Sequence, residues 1–202
     1  MKVKELCSFA DHQFFDRNYT THNELDALDW TNDLVAAGNA LDGAVHNYEA
    51  IGTNSNATIV TILSMVGIDV ADVLPSGTIL SDFPGHGELL DGTGNETYHV
   101  FNNGISYDFH TQDNDASSGN NTFIVAKNAA LNIDKDSTST SHNSLILTGY
   151  TIGELATLEF RVEGDDLEIF FNGNEVIDIE DHFMTDGTGF NSSALQVTDI
   201  MD

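Results

Sequence analysis

Cysteine is almost missing from this 202-residue chain. Cys7 is the only one, which excludes an intrachain disulfide and a cysteine-based zinc site. A single thiol with no motif around it reads as a small buried hydrophobe, not as a nucleophile. Basic residues are scarce as well: six Lys and Arg face 33 Asp and Glu, for a formal net charge of −27. A surface of that sign repels nucleic acid and anionic membranes, both of which are polyanions. Proline occurs only twice, so the chain has few of the prolines and lysines that usually block strand edges. Trp30 is the only tryptophan, which leaves few candidates for an aromatic sugar platform. No apolar run is long enough to span a bilayer, since the longest, Thr58–Val73, contains Ser64, Gly67, Asp69 and Asp72. Lys2 and Lys4 are not followed by an apolar run of signal-peptide length, so export, if it occurs, is expected without a cleaved N-terminal signal. Catalytic motifs are missing too. The chain has no H-E-x-x-H and no G-x-S-x-G.

What is present is alternation. In Thr157–Phe183, TLEFRVEGDDLEIFFNGNEVIDIEDHF, Leu158, Phe160 and Val162 face one way and Glu159, Arg161 and Glu163 the other. Glu-Gly-Asp-Asp makes a turn, Leu167, Ile169 and Phe171 resume the pattern, and Asn172-Gly173 makes a second turn before Ile177 and Ile179. The segment predicts a three-stranded antiparallel meander with one dry and one wet face. Phe160 and Ile169 belong to the dry face. Glu159, Glu168 and Phe170 belong to the wet one.

Upstream, Glu24–Leu41 has helical spacing with Asn23 as a cap, and predicts one short helix. Thr58–Val66 is β-branched and predicts a buried strand. Short strands separated by Gly/Asn/Asp turns follow at Thr97–Phe101, Ile105–Phe109, Thr122–Ala126, Ala130–Ile133 and Ser144–Leu147. Turns at that density are typical of a sandwich, a β-roll or a solenoid, and predict an all-β fold, mainly an antiparallel β-sandwich or a β-roll-like arrangement, with a short helical N-terminal region. The expected organisation is an N-terminal extension over 1–55, packed on or exchanged with an acidic β domain over 56–202. Two segments echo each other: Gly94-Asn-Glu-Thr-Tyr-His-Val100 and Gly119-Asn-Asn-Thr-Phe-Ile-Val125.

Leu90-Asp-Gly-Thr-Gly-Asn-Glu-Thr-Tyr98 resembles a degenerate copy of the glycine-rich nonapeptide of the RTX, or haemolysin-type, calcium-binding proteins. Gly92 and Gly94 match its glycines, Asp91 and Glu96 replace its first Gly and its Asp, and Tyr98 fills the large apolar position. The meander, with Gly164-Asp165-Asp166-Leu167 and Asp181-His182-Phe183, resembles the segment that often follows such repeats. The resemblance implies calcium binding and secretion by a type I channel through an uncleaved C-terminal signal. The acidic Ser192–Asp202 fits that implication.

Calcium takes six to eight oxygens, which Asp/Asn/Gly loops supply. Three loops qualify: Asp91–Glu96; Asp113–Asn121, with Asp113, Asp115 and Asn121; and Asp134–Thr138, with Asp134 and Asp136. Asp165 and Asp166 in the meander turn complete the candidate metal ligands. Each loop reads equally as a solvated turn, and the acid excess as a salt-adapted surface. No catalytic or cofactor-binding residue is assigned. The expected function is a calcium-binding extracellular or cell-surface protein, structural, adhesive or matrix-forming, that self-associates into an oligomer or filament through Met1–Tyr19 and Phe190–Asp202. The alternative is a carbohydrate-binding or carbohydrate-active β-sandwich with a polysaccharide partner, in which Phe170 is the exposed aromatic.

Overall fold

The computed structural model describes residues 24–42, 44, 46, 52–110, 119–134, 143–180, 182–183 and 196–199. Three helices precede the strands: α1 (Glu24–Asp42), α2 (Ser55–Met65) and α3 (Val70–Val73). The first lies where helical spacing predicts it. The second replaces the strand expected over Thr58–Val66. Its start is fixed by Asn54, whose side chain accepts from the N–H groups of Asn56 and Ala57 at 2.8 and 3.3 Å. The Thr61 hydroxyl, fully buried, donates to the Ala57 carbonyl at 2.8 Å. With its cap in place and Val60 and Leu63 buried against the β core, the segment is helical despite its β-branched residues, because packing overrides a weak local preference.

The strands are β1 (Glu88–Leu90), β2 (Thr97–Val100), β3 (Ser106–His110), β4 (Thr122–Ala126), β5 (Ala130–Asp134), β6 (Ser144–Thr148), β7 (Glu159–Glu163), β8 (Asp166–Phe171), β9 (Asn174–Ile179) and β10 (Gln196–Asp199), with a one-turn helix, α4 (Ile152–Leu155), before β7. The strands found in the sequence agree with these to within a residue or two. They form a six-stranded sheet in the order β1-β3-β5-β9-β8-β7 and a four-stranded sheet in the order β10-β6-β4-β2. Up to β6, successive strands alternate between the sheets, so the chain winds as a coil. The fold is predominantly β with a helical N-terminal region.

It is not mainly antiparallel. Among the described residues, six of the eight strand pairings are parallel, and only β7–β8 and β8–β9 are antiparallel. Parallel strands need a long crossover, usually a helix that buries both sheet faces. In four of the six, β1–β3, β3–β5, β2–β4 and β4–β6, the crossover is a single strand of the opposite sheet. Each sheet therefore keeps one wet face, and its strands alternate in sequence as antiparallel strands do. The two sequence echoes are neighbouring turns of this coil: Thr97, Tyr98 and Val100 pair with Thr122, Phe123 and Val125.

Inward-facing side chains stack in rows between the sheets. Tyr98, Phe109 and Phe123 form an aromatic nucleus, with ring centroids 5.1 Å apart for Tyr98–Phe109, 5.4 Å for Tyr98–Phe123 and 4.8 Å for Phe109–Phe123. All three are fully buried, and edge or offset contacts of this kind add to the burial of area. At one end α2 lies over β1 and β2. The Ser64 hydroxyl donates to the His99 carbonyl at 2.9 Å, and Thr61 Oγ1 accepts from the Leu90 N–H at 3.0 Å.

The other end is open. Phe160 and Val162 share the inner face with Ile169 and Leu167, opposite which they pair. Yet Phe160 is 54% and Val162 63% exposed, while Ile169 is 0%. The meander's alternation is as expected, but the burial expected for Phe160 is not. The six-stranded sheet is two strands wider than its partner, and β7 projects past the cover. Among the described residues, no helix is long and apolar enough to cross a membrane.

Candidate cation-binding edge

The coil has two unlike edges. On one, the chain crosses back through short turns between β2 and β3, and between β4 and β5. These turns use left-handed backbone at Gly104 (φ 83°) and Asn128 (φ 62°). On the other, residues 91–96 join β1 to β2, 111–121 join β3 to β4, and 135–143 join β5 to β6. Parallel pairing in both sheets brings the ends of these three connections together, because Leu90, His110 and the Asp134 position are aligned in one sheet and Thr97, Thr122 and Ser144 in the other. The three oxygen-rich loops read in the sequence thus start and finish along one edge.

The first loop is described in full. Asp91 is 0% exposed, and its Oδ1 accepts from Asn121 Nδ2 at 2.8 Å. Asn121 Oδ1 accepts in turn from the Glu96 N–H at 2.9 Å. Glu96 Oε1 accepts from the Gly94 N–H at 2.8 Å, while its Oε2 is shut off from solvent and meets no hydrogen-bond donor among the described residues. Burial raises the Glu96 carboxyl above its ordinary range, opposed by the Gly94 N–H. Below them lies the Tyr98 hydroxyl, which donates to the Leu90 carbonyl at 3.1 Å and accepts from the Gly92 N–H at 3.2 Å. Burial, and then the charges of Asp91 and Glu96, push this phenol well above its usual range. The helical region ties the loop down from outside. Thr93 donates to the Ala40 carbonyl through its N–H at 3.0 Å, and His46 Nε2 lies 2.9 Å from the Asp91 carbonyl.

Asparagines tie each loop to the next. Asn121 bonds up to Glu96, and Asn143 Oδ1 accepts from the Asn121 N–H at 2.9 Å. Asn95 Oδ1 accepts from the Asn120 N–H at 2.7 Å. The approach is so close that a Cβ on Gly119 would stand 1.8 Å from the Gly94 carbonyl oxygen, so only glycine fits there.

Of the sequence-derived candidates, Asp91, Glu96 and Asn121 come together. Asp134 ends β5 at the same edge and is exposed. Asp165 and Asp166 lie in the β7–β8 turn, on the same edge but at the far end of the wide sheet, and the Asp165 carbonyl accepts from the Phe183 N–H at 2.7 Å. Asp113, Asp115 and Asp136 lie outside the described residues. Among the described residues, no three His, Cys, Asp or Glu side chains converge as they would around a metal ion. The donors gathered here are two carboxylates and a carboxamide, the mixed oxygen set that suits a hard cation.

Sequence reasoning missed a second acidic feature. Glu88, Asp108, Asn132, Asp178 and Glu168 pair successively across the outer face of the wide sheet, ending on Arg161. A shallow hollow of about 240 Å³ lies there, lined by Ser106, Asp108, Asn132, Glu175 and Asp178 among others. Burial, then Glu88, raises the Asp108 carboxyl, and burial, then Glu175, raises that of Asp178. His110 Nε2 binds the Glu88 carboxylate. The signal was legible as acids or amides set singly between apolar residues: Tyr-Asp-Phe, Leu-Asn-Ile and Ile-Asp-Ile.

No family model, curated protein or solved structure matches this chain. The reading of its function therefore stands on the geometry of the edge and on the residues that form it. One part of that geometry bears on sugar binding. The Arg161 guanidinium stacks 3.9 Å from the centroid of Phe170, so one face of the only aromatic proposed as a sugar platform is already occupied.

Proposed function

We propose that this protein is a calcium-binding extracellular structural or adhesive component that self-assembles. On this reading divalent cations hold the loop edge of its coil. The observation that carries the reading is the first loop: a fully buried Asp91 beside a Glu96 whose Oε2 has no donor among the described residues, at an edge where two further acid- and amide-rich loops begin and end. Burying carboxylates is costly unless they are paired or coordinate a metal. The residues present fit calcium better than magnesium, because carboxylate, carboxamide and loop carbonyl oxygens tolerate irregular geometry. The resemblance of Leu90–Tyr98 and of the meander to the RTX calcium-binding proteins supports the same reading, as does the charge of −27.

The test is thermal unfolding in millimolar calcium, magnesium and chelator. A cation bound only by the folded state stabilises by RT ln(1 + [L]/Kd), about 2.7 kcal/mol at a hundredfold excess over Kd. Calcium is expected to raise the midpoint by several degrees and magnesium by less. Glu96→Gln is expected to match or exceed the native chain in chelator, because it removes a carboxylate whose ionisation burial opposes, and to lose the calcium increment. Identical melts of the native chain in calcium and chelator would sink the reading.

A further inference from the structure

The open end of the coil is built to meet itself. We propose that β7 pairs antiparallel with β7 of a second copy, in the two-fold register centred on Phe160, to give a closed dimer. The inference rests on the self-assembly part of the function proposed above and not on its calcium part.

β7 is the outermost strand of the wide sheet. All five of its residues are exposed, among them Phe160 and Val162, two of the large apolar side chains that stand in solvent. An edge of this kind, without proline or lysine, is a template for another strand. The sequence then selects the partner. With Phe160 opposite Phe160 of the second copy, Leu158 faces Val162 and Glu159 faces Arg161, each pair occurring twice. Apolar residues meet apolar residues on the inner face, and opposite charges meet on the outer face. Centring the axis on Arg161 sets Arg161 against Arg161 and Glu159 against Glu163. Centring it on Glu159 sets two glutamates face to face. Centring it on Val162 joins Arg161 to Glu163 but puts Phe160 against Gly164 in the hairpin turn, so its ring goes uncovered. A shift by one residue would turn the apolar face of one strand to the polar face of the other.

Charge argues for the same contact. Two chains of net charge −27 repel each other, and only six residues in each are basic. Arg161 puts one of them in the middle of the exposed edge, where it binds its own Glu159 at 2.7 Å and lies close to the facing one. The opposite edge of the sheet is closed, because α2 lies over β1 and β2. A β7–β7 contact about a two-fold axis is isologous, so it closes on itself and gives a dimer and not a filament. The contact is one short strand pair, smaller than a standard interface, so the dimer is expected at submillimolar protein and not at nanomolar.

Sedimentation equilibrium of the full chain, in millimolar calcium and in chelator, reads the mass. A monomer–dimer equilibrium in calcium is the expected result. Arg161→Glu is expected to weaken the dimer at least tenfold while leaving the melting temperature within a few degrees. Combining it with Glu159→Arg restores opposite charges in the Phe160 register and is expected to recover the dimer. Recovery by Arg161→Glu with Glu163→Arg instead would overturn the register. A monomer throughout the range in calcium, a mass that grows past the dimer, or a dimer indifferent to Arg161→Glu would each overturn the proposal. A monomer that still melts higher in calcium than in chelator would remove this contact and leave the calcium reading standing.

Discussion

The two ends of the coil treat one row of side chains in opposite ways. Tyr107, Leu131, Ile177, Ile169 and Phe160 pair in succession across the inner face of the wide sheet. The first four are at most 2% exposed and the last is 54% exposed. At the Tyr107 end, α2 seals the last rung with Val60 and Leu63, and its own polar groups are satisfied by Asn54, Thr61 and Ser64. At the Phe160 end, the covering sheet stops short. A coiled stack needs a cap wherever it ends, because each rung buries only what its neighbour covers. Among the described residues, the chain supplies a cap at one end and leaves an exposed strand at the other, and that asymmetry separates the residues that hold the fold from those that do not.

Mutations should fall into the same two classes. The largest effect is expected for Phe109→Ala in the aromatic nucleus, at about 3–5 kcal/mol by urea unfolding. A loss under about 1 kcal/mol would mean that the sheets are not packed as described. Next comes Asn54→Ala, which removes the α2 cap and the 3.1 Å bond from Asn54 Nδ2 to the Pro84 carbonyl; about 1–2 kcal/mol is expected, with faster amide exchange in α2 and at the β1–β2 end. A uniform loss of protection would show that the cap does not unfold on its own.

The pH response should be smaller. Glu96, Asp108 and Asp178 ionise less readily when folded, so the native state holds more protons than the unfolded chain between the ordinary values, 4.5 for Glu96 and 3.8 for the two Asp, and the raised ones. Stability therefore falls as pH rises through that window. In chelator, lowering the pH from neutral toward the ordinary carboxylate range should raise the melting temperature. Calcium, by favouring ionised Glu96, should blunt the rise. Glu154 acts oppositely: Lys127 Nζ at 2.6 Å holds its carboxyl down to about 2. Its contribution is complete above 4.5 and is lost as the pH falls toward about 2. A melting temperature that falls steadily from neutral to acid would contradict the raised carboxyls.

Smallest of all should be Phe160→Ala, within about 0.5 kcal/mol of the native chain at low protein concentration. A core-sized loss there would mean that something covers β7 even in the monomer.

The strands were legible because alternation and turn chemistry are local. Asn172-Gly173, the Gly-Asn turns and the apolar pairs such as Tyr107 and Phe109 specify strands to within a residue or two. Two things were not local. Period-2 patterning says that one face is dry, but not which way the neighbour runs, so a parallel coil with wet outer faces could not be told from an antiparallel sandwich. The inner face of β7 was assigned correctly, but its burial depends on how far the other sheet extends, which no window of sequence contains. The α2 segment was misread because its β-branched residues outweighed a single capping asparagine. At the candidate site, Asp91, Glu96 and Asn121 were found as oxygen donors in loops. Their assembly across turns of the coil, and Tyr98 beneath them, depend on which strands pair.

The unlike edges carry a consequence for chain length. Crossings at Gly104 and Asn128 are fixed by left-handed backbone, so an inserted residue there would shift every side chain of the next strand to the wrong face. On the loop edge the crossings already differ in length, from 91–96 to 111–121, while the strands beyond them stay in alignment. Lengthening a flexible loop adds only about 0.6 kcal/mol per doubling. Outside the tied-down 91–96 loop, that edge is where this scaffold can accept foreign sequence, such as an epitope or a tag, without being refolded.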